Sequence, residues 1–151
     1  MISESAPALV ELDVDECSRL LRTEEIGRLG VNARPYPLIF PVNYALDRDV
    51  IVVRTHPGTK LTAAGRANVT FEVDQIDRRT RTGWSVLVRG LAEELTDAHG
   101  AELIRRTQAT GVRPWAPGEH GRWLRIIPQG MTGRRIVAGE LPPPFEDGSY
   151  L

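Results

Sequence analysis

Apolar residues fall along this chain in short runs separated by Gly, Pro, Asn and Asp, a spacing that favours strands over long helices. The β-branched run Val50 to Arg54 is the clearest strand. Others are expected at Ile26 to Val31, Pro37 to Leu46, Val69 to Val73, Trp84 to Leu95, Trp123 to Ile127 and Arg134 to Val137, the last two joined through residues 128–133. Pro41 confines the second of these to an edge or a bulge, and Gly90 marks a bulge or bend in the long strand. Asp47-Arg48-Asp49 reads as a hairpin turn.

Residues 13–24 change period. Cys17, Leu20 and Leu21 share one helical face, and Asp13 with Glu16 three places on makes a capping-box signal. A second helix is expected over 96–108 with Thr96 as N-cap, and a short one over Lys60 to Arg66. Strands succeed one another like hairpins instead of alternating with helices, which predicts an antiparallel barrel, mainly β with short helices (α+β). One domain over 1–138 is expected, with a proline-rich tail over 139–151.

A net charge of −1 argues against a duplex nucleic-acid binder, and no apolar run approaches the ~20 residues of a membrane span. A lone cysteine, Cys17, excludes an internal disulfide and fits a reducing, cytoplasmic setting; on its apolar helix face it reads as structural. Residues 1–10 lack the basic region of a signal peptide. Of 19 basic residues only Lys60 is lysine, which draws attention to its surroundings.

Those surroundings, Arg54-Thr-His-Pro-Gly-Thr-Lys60, form a strand end, a tight turn and a helix start. Such a corner can cradle a phosphate: Arg54 grips bidentately, Lys60 adds a point charge, Thr55 a hydroxyl, and Gly58 lets backbone approach an anion. An ordinary turn with solvated charges accounts for it equally well. His56 is either a ligand or proton donor, or simply a solvated turn residue. Trp84-Ser85 stands either in the core or beside a planar ligand at a strand mouth. Asn43, in Pro41-Val42-Asn43-Tyr44, is either exposed or paired to the sheet or to a ring. Trp115, bracketed by prolines, is a lid, an interface anchor or a barrel plug. His56, His99 and His120 lack metal-ligand spacing, so no metal site is expected, and no catalytic triad is readable. Glu93-Glu94 reads as a solvated strand end.

Taken in order, Ile26 to Val31, Pro41 to Tyr44, Arg54 to Lys60, Phe71-Glu-Val-Asp74, Gly83 to Gly90 and Thr132 to Arg135 give the chain a resemblance. From about Cys17 to Val137 it resembles the pyridoxamine 5′-phosphate oxidase-like split-barrel flavoproteins, in the branch of small flavin-nucleotide-binding proteins. The nitroimidazole-resistance proteins are cousins. The resemblance implies a six-stranded antiparallel split β-barrel of the FMN-binding type. It implies a homodimer with flavin in the interface grooves and a small-molecule substrate. Pro41, Val42 and Asn43 would line the flavin ring, and Arg54, Thr55, His56 and Lys60 would hold the phosphate. Trp84 and Ser85 would approach the ring's polar edge, with Trp115 or Arg134 closing the site from the second subunit. Thr132-Gly-Arg-Arg135 and the proline tail replace the Arg-Leu-His-Asp-Arg-like ending of the oxidases that make pyridoxal phosphate, so the implication stops short of that activity. Three functions remain in view: an FMN-dependent oxidoreductase, a deazaflavin (F420) reductase using Arg78, Arg79 and Arg81, and a non-enzymatic flavin or haem binder using His56.

Overall fold

The computed structural model describes residues 6–55, 66–119 and 121–139. Among these, the order is β1 (Ala8–Leu12), α1 (Val14–Leu21), β2 (Ile26–Asn32), β3 (Pro37–Asn43), β4 (Ala45–Asp47), β5 (Val50–Thr55), β6 (Arg66–Asp77), β7 (Thr82–Glu94), α2 (Ala101–Ala109) and β8 (Arg122–Val137).

Alternation builds the sheet's two faces. Along β6, Val69, Phe71 and Val73 are buried while Thr70, Glu72 and Asp74 turn outward; β7 repeats this with Val86, Val88 and Ala92 inside. The strands form one antiparallel path, β3-β2-β6-β7-β8-β5-β4, with β1 added to β8. The two ends of that path, β3 and β4, are separated in the chain by Tyr44 alone. The sheet therefore curls until its ends meet, and β3–β4 acts as one bent strand in a six-stranded split barrel. Tyr44 holds this junction: its buried hydroxyl donates to the Leu21 carbonyl at 2.6 Å, and its ring meets Phe71 edge-on at 5.1 Å. Burying Phe71 contributes roughly 1.5–3 kcal/mol. It also requires Gly27, where a Cβ would stand 2.2 Å from the Phe71 ring.

Helix α1 starts as expected, with the Asp13 carboxylate accepting the Glu16 N–H at 2.8 Å. Buried Cys17 lies against Gly133, where a Cβ would meet its sulfur at 2.5 Å, so the thiol fills the α1–β8 contact. Burial pushes this thiol's pKa up.

Several expectations change. Helix α1 ends at Leu21, short of residue 24, and β1 was not anticipated. The two strands expected over 123–127 and 134–137 are one strand, β8. Pro128 fits because the register shifts between Arg89 and Gly90, Gly90 pairing with Pro128 and Arg89 with Gly130. Helix α2 begins at Ala101 after Gly100, not at Thr96; Thr96 instead turns back on His99, its N–H donating to the imidazole Nδ1 at 3.0 Å. Glu93 and Glu94 are largely covered, Glu93 meeting Arg66 and His99, and Glu94 meeting Arg122. Arg66, the expected end of a short helix, opens β6; the rest of that helix and residues 140–151 of the tail lie outside the described residues.

Candidate functional site

The outer face of the barrel sheet is read from its registers. Arg28 on β2 pairs with Pro41 on one side and Glu72 on the other. Asp74 pairs with Ser85, and Ser85 with Arg134. Where the ends of β6, β7 and β8 lie together they flank a groove of about 700 Å³. Leu9, Ile76, Trp84 and Ile136 give it apolar walls; Glu72, Asp74 and Ser85 give polar groups; Arg78, Arg81 and Arg134 give positive charge. The β6–β7 hairpin that carries Arg78 and Arg81 is fixed by Asp77, whose Oδ1 accepts the N–H groups of Arg79 at 2.9 Å and Thr80 at 3.2 Å. Arg81 itself takes a positive φ of 57°. The same backbone donors hold the Asp77 carboxyl below its usual pKa.

Glu72 is the unusual group here. One Arg28 nitrogen lies 3.0 Å from Asp74 Oδ2 and 3.6 Å from Glu72 Oε2. Glu72 Oε1 is buried and has no hydrogen-bond partner among the described residues. Two carboxyl groups thus share one guanidinium. Burial first, then Asp74 beside it, push the Glu72 pKa up to about 7 against the pull of Arg28.

A second carboxylate–arginine cluster lies under α2. Asp47, at the end of β4, accepts from Arg125 at 2.8 Å and from Arg106 at 3.0 Å, while Arg125 also donates to Thr107 Oγ1 at 2.7 Å. Arg125 is 6% exposed. Burial pushes the Asp47 pKa up, but the two guanidiniums outweigh it and the net shift is downward.

The expected site residues separate into three places. Trp84, Ser85 and Arg134 come together on the groove, Trp84 also packing against the core. Pro41 is exposed on β3, Val42 packs on the core, and Asn43 Oδ1 accepts the backbone N–H of Trp115 at 2.8 Å, which ties the loop of that exposed tryptophan to the end of β3. Arg54 and nearly buried Thr55 close β5, with the Arg54 guanidinium 4.7 Å from the centroid of the Trp123 ring. Arg54 pairs with Trp123 where β8 opens, whereas Ser85 pairs with Arg134 near its close, so the two sets lie at opposite ends of β8. His56 and Lys60 lie outside the described residues, as does His120.

Arg28, Glu72 and Asp74 were not singled out as site residues. Carboxylates two apart on an otherwise β-branched strand signal a shared face; that Arg28 stands opposite them is a matter of strand pairing. Among the described residues no group of three or more His, Cys, Asp or Glu could hold a metal ion, and no helix is long and apolar enough to cross a membrane.

Comparison with known proteins bears on this site. The family model for pyridoxamine 5′-phosphate oxidase matches residues 13–135. An uncharacterized protein of Mycobacterium tuberculosis is 37% identical over 146 residues, 93% of each chain. The chain is similar to the solved structure of the FAD binding protein from Mycobacterium smegmatis, at 35% identity and a TM-score of 0.69, covering 83% of this chain and 98% of that one. It is also similar to an FAD-binding protein from Mesorhizobium loti, at 26% identity and a TM-score of 0.69, covering 87% and 99%.

Proposed function

Since the chain belongs to the pyridoxamine 5′-phosphate oxidase family, we propose that it binds a flavin nucleotide in the groove beside Trp84, Ser85 and Arg134, and that it serves as a flavin-dependent oxidoreductase on a small substrate. The groove carries the reading. An isoalloxazine has an apolar edge, a pyrimidine edge of alternating carbonyl and N–H groups, and an anionic tail. The groove offers an apolar wall with Trp84 for stacking, Ser85 and two carboxyl groups for the polar edge, and arginines for the anion. The Glu72 and Asp74 carboxyl groups share one guanidinium on this groove, which leaves it polar groups that a ligand's donors can meet. The similar FAD-binding proteins support the same cofactor class. FMN is the expected form, held at its phosphate by Arg54, Thr55, His56 and Lys60.

The flavin, when bound, supplies the redox chemistry. The chain's own groups bind and orient it: Trp84 and the apolar wall exclude water from one ring face, and Arg134 balances negative charge near the polar edge.

A homodimer fits this site. The Arg54–Thr55 corner and the groove stand at opposite ends of β8, so a ligand using both draws on two copies of the chain. Strand β3 supports the same reading: Leu38, Ile39 and Phe40 are all exposed along it, with Tyr36 just before it. That concentration of apolar surface on one strand suits an interface.

FMN, FAD, riboflavin and F420 titrated against one sample, followed by quenching of cofactor fluorescence, test the assignment. Saturable binding of a flavin is expected, with FMN or FAD tighter than riboflavin because the phosphate corner adds contacts. Binding of F420 alone would favour the deazaflavin reading, for which Arg78 and Arg81 on the groove rim are the supporting feature. Native mass measurement is expected to show twice the mass of one chain.

A further inference from the structure

Glu72 and Asp74 line the groove, and with Arg28 beside them they make a charge-imbalanced cluster whose imbalance has a chemical consequence. Two ionised carboxylates against one guanidinium leave a net negative charge. One proton held by the pair removes it. Asp74 has the closer contact with Arg28, 3.0 Å against 3.6 Å for Glu72, so Asp74 is the better place for the remaining charge and Glu72 for the proton. The orphan Oε1 agrees, since a buried carboxylate oxygen without a donor is poorly tolerated when charged and much less costly as part of a neutral carboxyl group.

The other charged groups around Glu72 leave this balance intact. Its cross-strand neighbour on β7 is Leu87, which carries no charge. Asp77, Arg78, Arg81 and Arg134 line the same groove; Asp77 is kept ionised by two backbone donors, and the arginines stay charged at every relevant pH. Arg28 is the cation that contacts both carboxyl groups.

We propose that ligand binding in this groove is coupled to the uptake of a proton by Glu72: a planar, largely apolar ligand that covers the groove displaces water from Glu72 and so binds the neutral carboxyl form in preference to the carboxylate. The inference rests on the flavin reading for its probe and adds to it a linkage that assigns the proton to one residue. Burial and Asp74 already hold the Glu72 pKa near 7 without ligand, so the coupling falls in the physiological range. By linkage, a ligand that prefers the protonated form raises that pKa further, and its affinity falls as pH rises.

The probes are FMN and riboflavin. Riboflavin lacks the phosphate, which itself titrates at pH ~6, so it isolates the protein's proton. For wild-type protein, the riboflavin dissociation constant is expected to be flat below pH 6 and to rise above neutrality, approaching tenfold per pH unit if one full proton is taken up. Glu72→Gln, which is neutral at every pH and keeps the shape, is expected to lose the slope whatever its absolute affinity. A second measurement does not depend on the variant folding. Infrared difference spectra of the wild-type protein slightly above neutral pH should gain protonated-carboxyl intensity when flavin is added. A flat wild-type profile, a slope retained by Glu72→Gln, or no carboxyl change on loading would each overturn the coupling while leaving the flavin reading in place. Failure of wild-type protein to bind FMN or riboflavin at any pH would overturn the flavin reading itself, and the coupling with it.

Discussion

Two carboxylate–arginine clusters on the outside of the same barrel sheet are built to opposite ends. Around Asp47, one carboxylate faces two guanidiniums, α2 covers the group, and Thr107 takes up a further Arg125 donor. Around Glu72, two carboxyl groups face one guanidinium beside an open groove, and an oxygen is left unpaired. Burial pushes both carboxyl groups up; at Asp47 the two guanidiniums outweigh it and the net shift is down, while at Glu72 the neighbouring Asp74 adds to it and the net shift is up. The first arrangement satisfies every charge it buries and ties α2 to β4 and β8. The second keeps two carboxyl groups on a single guanidinium where the protein has a groove. Ion pairs of like composition can thus serve the fold in one place and a site in another, and the balance of charge with exposure tells them apart.

Breaking the first cluster should have the largest effect. Asp47→Asn leaves Arg125 buried against an uncharged partner and is expected to destabilise the fold by about 3–5 kcal/mol in denaturant unfolding. Little or no loss would show that the cluster is solvated in practice and that the contrast with Glu72 is overdrawn. Thr107→Val removes one acceptor from Arg125 and should cost about 1–3 kcal/mol by the same measurement, with flavin affinity unchanged.

Glu72 sharpens the comparison through pH. A carboxyl group whose folded pKa lies above its unfolded value binds its proton more tightly in the folded state. Its contribution is complete below the unfolded value of 4.5 and is lost as pH rises through about 7. Wild-type stability should carry this falling component between those limits, and Glu72→Gln should remove it, so the variant's advantage over wild type grows toward pH 8. Asp47 runs the other way, its contribution being lost as pH falls through its depressed folded value. The smallest effect on stability is expected for Ser85→Ala, within about 0.5 kcal/mol of wild type, as for a substitution away from packed features. The same change should weaken flavin binding measurably, which separates a groove residue from a structural one.

Much of the barrel was legible beforehand because its causes are local. The β-branched run at Val50 to Arg54, the Asp13–Glu16 cap and the edge placement forced by Pro41 each depend on neighbours a few residues away. Strand β1 and the continuity of β8 were not legible. The first exists because Ala8–Leu12 pairs with residues more than a hundred positions on, and the second because a register shift opposite Gly90 absorbs Pro128.

The site divides along the same line. The local sequence was enough to draw attention to Trp84 and Ser85; Arg134 came only with the family resemblance, which expected it or Trp115 from a second subunit. Only the tertiary structure set Arg28 across from Glu72 and Asp74, left Oε1 without a donor among the described residues, and put the Arg54 corner at the far end of β8 from Arg134. The physical reason is that a residue's type and its immediate neighbours fix its propensity and its charge. The number of opposite charges it meets, and the water it keeps, depend on which distant strand is laid beside it.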